Sequence, residues 1–202
     1  LKESVSTPNL NTDFVCSEDN TVEQLLVRQD FLPVIKRDDK AYAHIVILGT
    51  GALADRLCAL TSQLCHYPDY ADGRQRRTLI TVAGEGMRNW HDTFVASKRA
   101  CFELSRYSYI GPDGQKEHHE PDPLYGDFLD VEWQFLDAGP GHPLLEEQMR
   151  VWSGEQDAGR QQLRMVVCYD SQDDAERTLL CLPSYMMSCL KAIYVSQNPA
   201  LL

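Results

Sequence analysis

Positive charge is what this chain lacks most: 19 Lys and Arg stand against 30 Asp and Glu, for a formal net charge of -11. Such a balance repels nucleic-acid phosphates and anionic lipid, so no nucleic-acid partner is expected, and any phosphate must be held by local geometry. Long apolar runs are missing too, since none approaches the ~18 residues that span a bilayer. The seven cysteines, at 16, 58, 65, 101, 168, 181 and 189, form no C-x-x-C pair. An odd set without that spacing reads as free thiols in a reducing compartment. The chain starts at Leu1 without a basic segment followed by an apolar one. Either a longer protein has been cut or a leader has been removed, and the acidic, thiol-rich body favours the first, a piece of a longer cytoplasmic protein with its other domains as partners. No Tyr is followed four residues later by Lys, which removes the tyrosine–lysine chemistry of the short-chain dehydrogenases.

What remains is a globular composition, 43% hydrophobic and 24% charged, in 202 residues. That is enough chain for one core of ordinary size. Residues 1–40 are irregular and read as a lead-in segment, in which Thr21 and Gln24 are spaced as a capping box for a short helix over Thr21–Arg28. Residues 41–202 read as one domain. "HIVIL" from His44, "TLITVAG" from Thr78, "FLDVEWQFLD" from Phe128, "LRMVVCYD" from Leu163 and "KAIYVSQ" from Lys191 are short, β-branched or apolar runs of the kind that fills a sheet covered on both faces.

Helical periods separate these runs. Leu53, Leu57, Leu60 and Leu64 fall on one helix face. A second helix is expected from Asn89 as its N-cap, a third over "PLLEEQMRVW", and a fourth from Asp173 that Pro183 kinks or shortens. Loops are expected at 66–77 and 106–127, where Gly, Pro and charge dominate. Strand–helix alternation predicts an α/β fold: a doubly wound parallel sheet, Rossmann-like, of about five strands in the order 3-2-1-4-5, with helices on both faces.

Gly49, Gly51 and Ala54 spell G-x-G-x-x-A between the first strand and the first helix. Each small residue has a mechanical role in a dinucleotide site: Gly49 for the tight turn, Gly51 for close approach of a pyrophosphate, Ala54 for helix-on-strand packing. The helix N-terminus adds unpaired N–H groups and partial positive charge. An acid near the end of strand two should accept the ribose hydroxyls, and Glu85 is the residue available; Arg88 could instead meet a 2′-phosphate. "KEHHEPD" reads as a solvated loop. The tryptophans read as core or interface residues, and Cys58, Cys65, Cys181 and Cys189 as packing groups. No catalytic or metal-binding residue is assigned.

"HIVILGTGALADRL", "FLDAGPGHPLLEEQ" and "MVVCYDSQDDAERTLLCL" together resemble the TrkA-N domain. This is the NAD-binding Rossmann domain of potassium-uptake regulators and of domains that regulate potassium-channel conductance. The likeness runs over about residues 43–197. It implies that Gly49, Thr50, Gly51, Ala52 and Leu53 line the phosphates, Glu85 the ribose, and Asp137 and Ala138 the adenine edge. Tyr169, Asp170 and Ser171 then stand where the strand order reverses. The implied cofactor is NAD or another adenine nucleotide, and the implied role is a regulatory sensor without chemistry of its own. Two other readings stay open, the cofactor domain of an NAD(P)-dependent oxidoreductase and a degenerate Rossmann module that binds proteins, the second with no cofactor. A homodimer through the edge of the fifth strand, or through the helix ending near Leu190, is also expected.

Overall fold

The computed structural model describes residues 14–15, 22, 26, 31–36, 39–67, 77–126 and 129–195. The expected capping box at Thr21 and Gln24, Cys16 and most of the loop at 66–77 lie outside them. The described chain runs β1 (Phe14–Val15), β2 (Tyr42–Leu48), α1 (Ala52–Leu64), β3 (Thr78–Gly84), α2 (Arg88–Ser97), α3 (Arg99–Phe102), β4 (Arg106–Ile110), β5 (Lys116–His119), β6 (Val131–Asp137), α4 (Pro143–Asp157), β7 (Gln161–Tyr169), α5 (Gln172–Cys181), a 3-10 turn (Ser184–Met186) and β8 (Leu190–Val195).

All the strands join one sheet, in the order β1-β8-β7-β2-β3-β6-β4-β5. The architecture is α/β with a mostly parallel sheet; among the described strands, only β4 and β5 pair antiparallel. Strand count and overall order therefore depart from the five-strand expectation. The strands read from the sequence are β2, β3, β6, β7 and β8, and they lie side by side. Beyond them, β4 and β5 extend one edge and β1 the other.

Alternation along each strand splits the interior into two cores. Ile45, Ile47, Ile80, Val82, Trp133, Phe135, Val166 and Cys168 face α1, α2 and α3, whereas Val46, Leu48, Ala83, Leu136, Met165 and Val167 face α4 and α5. In α1 the buried residues are Ala54, Leu57, Cys58 and Thr61, one helical stripe pressed on the sheet. In α4 they are Leu145, Met149 and Trp152. Pro143 opens α4, and His142 Nδ1 accepts the Leu144 N–H at 3.2 Å. Ser171 caps α5 by accepting the Asp174 N–H, and Asp173 and Asp174 in the first turn suit the helix dipole.

Several expectations are corrected. The excursion at 106–127 contains a hairpin: β4 pairs in parallel with β6 and turns at Gly114 into β5, burying Ser108, Tyr109 and Ile110. Its "YSYI" is too short to show a period of its own, and tertiary pairing makes it a strand. The second helix begins at Arg88, with Met87 and not Asn89 at its cap, and a break at Lys98 divides it into α2 and α3. The last helix is shortened at Pro183 as expected, ending at Cys181 because Leu182 is extended, and so does not reach Leu190. Cys181 is exposed, while Cys58, Cys65 and Cys189 are buried. The lead-in is also engaged, since Val22, Leu26 and Phe31 enter the first core. Phe14 and Val15 pair with Ile193 and Tyr194, so the edge of β8 proposed for a homodimer carries β1 along that stretch. No described helix is long and apolar enough to cross a membrane.

Candidate functional site

β2 sits where the winding reverses: β3 pairs on one side of it and β7 on the other. In open parallel sheets a crevice forms at such a point, outside the carboxyl ends of the strands. The turn Gly49–Gly51 leaves β2 at this end. Gly49 donates its N–H to the Ala83 carbonyl at 2.8 Å and has φ +125°, and a Cβ there would stand 1.9 Å from the Cys168 carbonyl oxygen. Gly49 is thus required by strand packing whatever binds nearby. Gly51 has φ +151° and caps α1 without a side-chain hydrogen bond, so the first amides of this 13-residue helix have no side-chain acceptor at the cap.

A cleft of about 330 Å³ opens there, and its walls include Thr50, Glu85, Tyr169, Asp170, Ser171 and Arg177. Three elements carry these groups: the turn after β2, the turn after β3, and the junction of β7 with α5. Pro140 and Asp174 complete the lining. These two and Arg177 were not read from the sequence; the Ser171-x-x-Asp174 cap was the available signal. Burial raises the Tyr169 phenol above its ordinary pKa, so it is a neutral hydrogen-bonding group at physiological pH.

The electrostatics of the cleft are mixed. Glu85, Asp170 and Asp174 face one cation, Arg177, among its lining residues. The Asp170 carboxylate lies against Gly51, with its oxygens 2.3 and 2.7 Å from where a Cβ would be. A negative group thereby occupies the approach to the backbone that the glycine spacing leaves open for phosphate.

The other residues read from the sequence lie elsewhere. Ala52 is exposed, Leu53 packs partly against the first core, and Ala54 is buried under the sheet. Ala138 is buried in the second core. Asp137 is buried as well: its Oδ1 accepts the Met87 N–H at 3.1 Å and its Oδ2 accepts the Tyr109 hydroxyl at 2.7 Å. It clamps the turn after β3 and the hairpin strand β4 to the tip of β6. Arg88 points into a different cleft, where it donates to Glu117.

The buried cysteines of the sheet and α1 are unsuited to nucleophilic work. Burial pushes the Cys58 and Cys168 thiols far above their ordinary pKa, the reverse of what a reactive thiolate needs. Among the described residues, no group of three His, Cys, Asp or Glu is arranged to hold a metal ion.

Comparison with known proteins places no family beside this geometry. No family model, curated protein or solved structure matches the chain. What the cleft can bind is therefore argued from its own groups.

Proposed function

We propose that the chain is a nucleotide-binding regulatory domain whose ligand is an adenine nucleotide of the NAD type, and that it performs no chemistry itself. The observation that carries this reading is the turn Gly49–Gly51 at the strand reversal, where the uncapped N-terminus of α1 meets a cleft holding Thr50, Glu85 and Ser171. Backbone amides and a helix dipole suit phosphate, and Glu85 at the tip of β3 suits ribose hydroxyls. The resemblance to TrkA-N domains agrees in ligand and role.

Titration calorimetry and thermal melts with NAD, NADH, NADP, ATP and AMP test it. At least one nucleotide should bind below the millimolar range, and replacing Asp170 by Asn should tighten it by removing a charge beside the phosphates. If all five leave wild type and Asp170→Asn unshifted, the reading is refuted.

A second reading, a degenerate Rossmann module that binds proteins, is favoured by the Asp170 carboxylate against Gly51. A nucleotide that copurifies with the protein and occupies this cleft eliminates it.

A further inference from the structure

A second cleft, of about 370 Å³, lies between α2 and the β4–β5 hairpin. Arg88, His91 and Asp92 come from α2, and Tyr107, Glu117 and His119 from the hairpin. Arg88 Nη1 donates to Glu117 Oε1 at 2.8 Å and so ties helix to hairpin. Its Nε lies 3.6 Å from Asp92, and its guanidinium carbon lies 4.5 Å from the Tyr109 ring centre. All three charged side chains are at least half exposed.

The histidines are different. His91 is buried at 6% exposure, and its Nδ1 lies 2.8 Å from Asp92 Oδ1. A carboxylate only accepts, so Nδ1 carries a hydrogen. Nε2 of His91 has no hydrogen-bond partner among the described residues, nor has Nε2 of His119, whose ring stacks on Tyr107 with centres 4.5 Å apart. Buried polar atoms without partners are uncommon and call for an explanation. Both rings belong to the lining of this one cleft.

We propose that this cleft is a second small-molecule site, and that it takes a compact zwitterion of the α-amino acid class. The resident charges decide the class. A simple anion reaching Arg88 meets two carboxylates beside it, and a simple cation reaching Asp92 and Glu117 meets the guanidinium. A molecule carrying both charges exchanges pairs without leaving one unmatched: its carboxylate replaces Glu117 on Arg88, in the planar two-point geometry guanidinium favours, and its ammonium meets the released Glu117 and Asp92. Opening an exposed ion pair to admit it costs little. A cleft of this volume is at the small end for ligand sites, and Val95, Ala96 and the tyrosines supply an apolar wall for a side chain. The proposal does not depend on nucleotide binding in the other cleft.

The test is calorimetry and thermal melting of the 202-residue chain against the standard amino acids at millimolar concentration. Each binder is then repeated as its decarboxylated amine and as its deaminated acid. At least one amino acid should bind, and both one-charge analogues should bind about tenfold more weakly or worse. Arg88→Gln and Glu117→Gln, at half-exposed positions that do not hold the core, should each weaken the amino acid by about tenfold. Leu180→Ser, on the exposed side of α5, should leave it unchanged and serves as the control. Three results overturn the proposal: no amino acid binds, a one-charge analogue binds as well as its parent, or binding survives both charge substitutions.

Discussion

Acid should destabilise this protein through His44 in particular. The ring is fully buried at the start of β2, with Nδ1 2.8 Å from Gln161 Oε1 and Nε2 2.8 Å from Thr81 Oγ1. The Gln161 amide nitrogen donates to the Trp152 carbonyl, which leaves Oε1 as an acceptor. Nδ1 therefore carries the hydrogen, and Nε2 competes with Gln134 Oε1, 3.2 Å from Thr81 Oγ1, for the single Thr81 hydroxyl hydrogen. Burial favours the neutral ring, and Trp152 packs edge-on against it with ring centres 5.4 Å apart. Burial lowers its pKa from 6.5 to about 4, and the Gln161 hydrogen bond opposes this only in part. Between those values the unfolded chain binds a proton that the folded protein refuses. The contribution is thus complete above about pH 6.5 and is lost as the pH falls towards about 4. At about 1.4 kcal/mol per tenfold change in proton affinity, the loss is about 2 kcal/mol near pH 5 and about 3 kcal/mol near pH 4. Urea unfolding of wild type and His44→Leu across this range isolates it, because all other titrating groups are common to both. The variant should begin about 2 kcal/mol less stable, having orphaned the Gln161 oxygen. The gap should then close as the pH drops. Parallel stability curves for the two proteins would refute the argument.

Two further substitutions separate packing from binding. Gly49→Ala puts a methyl carbon 1.9 Å from the Cys168 carbonyl oxygen at φ +125°, and strain plus overpacking should cost about 4 kcal/mol or prevent folding. A soluble variant with an unchanged urea midpoint would mean that β2 and β7 are not packed as described. Asp137→Ala leaves the buried Met87 N–H and Tyr109 hydroxyl without their acceptor, for a loss of about 3 kcal/mol in chemical denaturation. Tyr109, whose pKa burial and then the Asp137 hydrogen bond raise to about 12, should titrate lower in that variant by ultraviolet absorbance. Lost nucleotide binding at unchanged stability would instead give Asp137 the adenine contact that the resemblance implies.

Local periodicity was enough to read the middle of the sheet. Runs such as "HIVIL" and "TLITVAG" are apolar on successive residues because both of their faces are covered, and the stripe of α1 repeats at helical spacing because one face is. The glycine turn was legible for a similar reason: Gly49 and Gly51 both take positive φ, and that demand is written in residue type. Arg88, Asp137 and Asp170 carry no such mark. A carboxylate reads the same in sequence whether it meets a ribose, a buried amide or the Cα of Gly51. Asp137 became an internal clamp because β4 pairs beside β6 and brings the Tyr109 hydroxyl to it, and Arg88 turned away because the hairpin offers Glu117. The same holds for β1, two residues whose partners lie in β8 at the other end of the chain. Sequence alone determined the five central strands, the stripe of α1 and the sharp turn after β2, because those depend on neighbours a few residues away. Tertiary structure alone decided the edges of the sheet and the partner of each charge, because those depend on groups that are close only after the chain has folded.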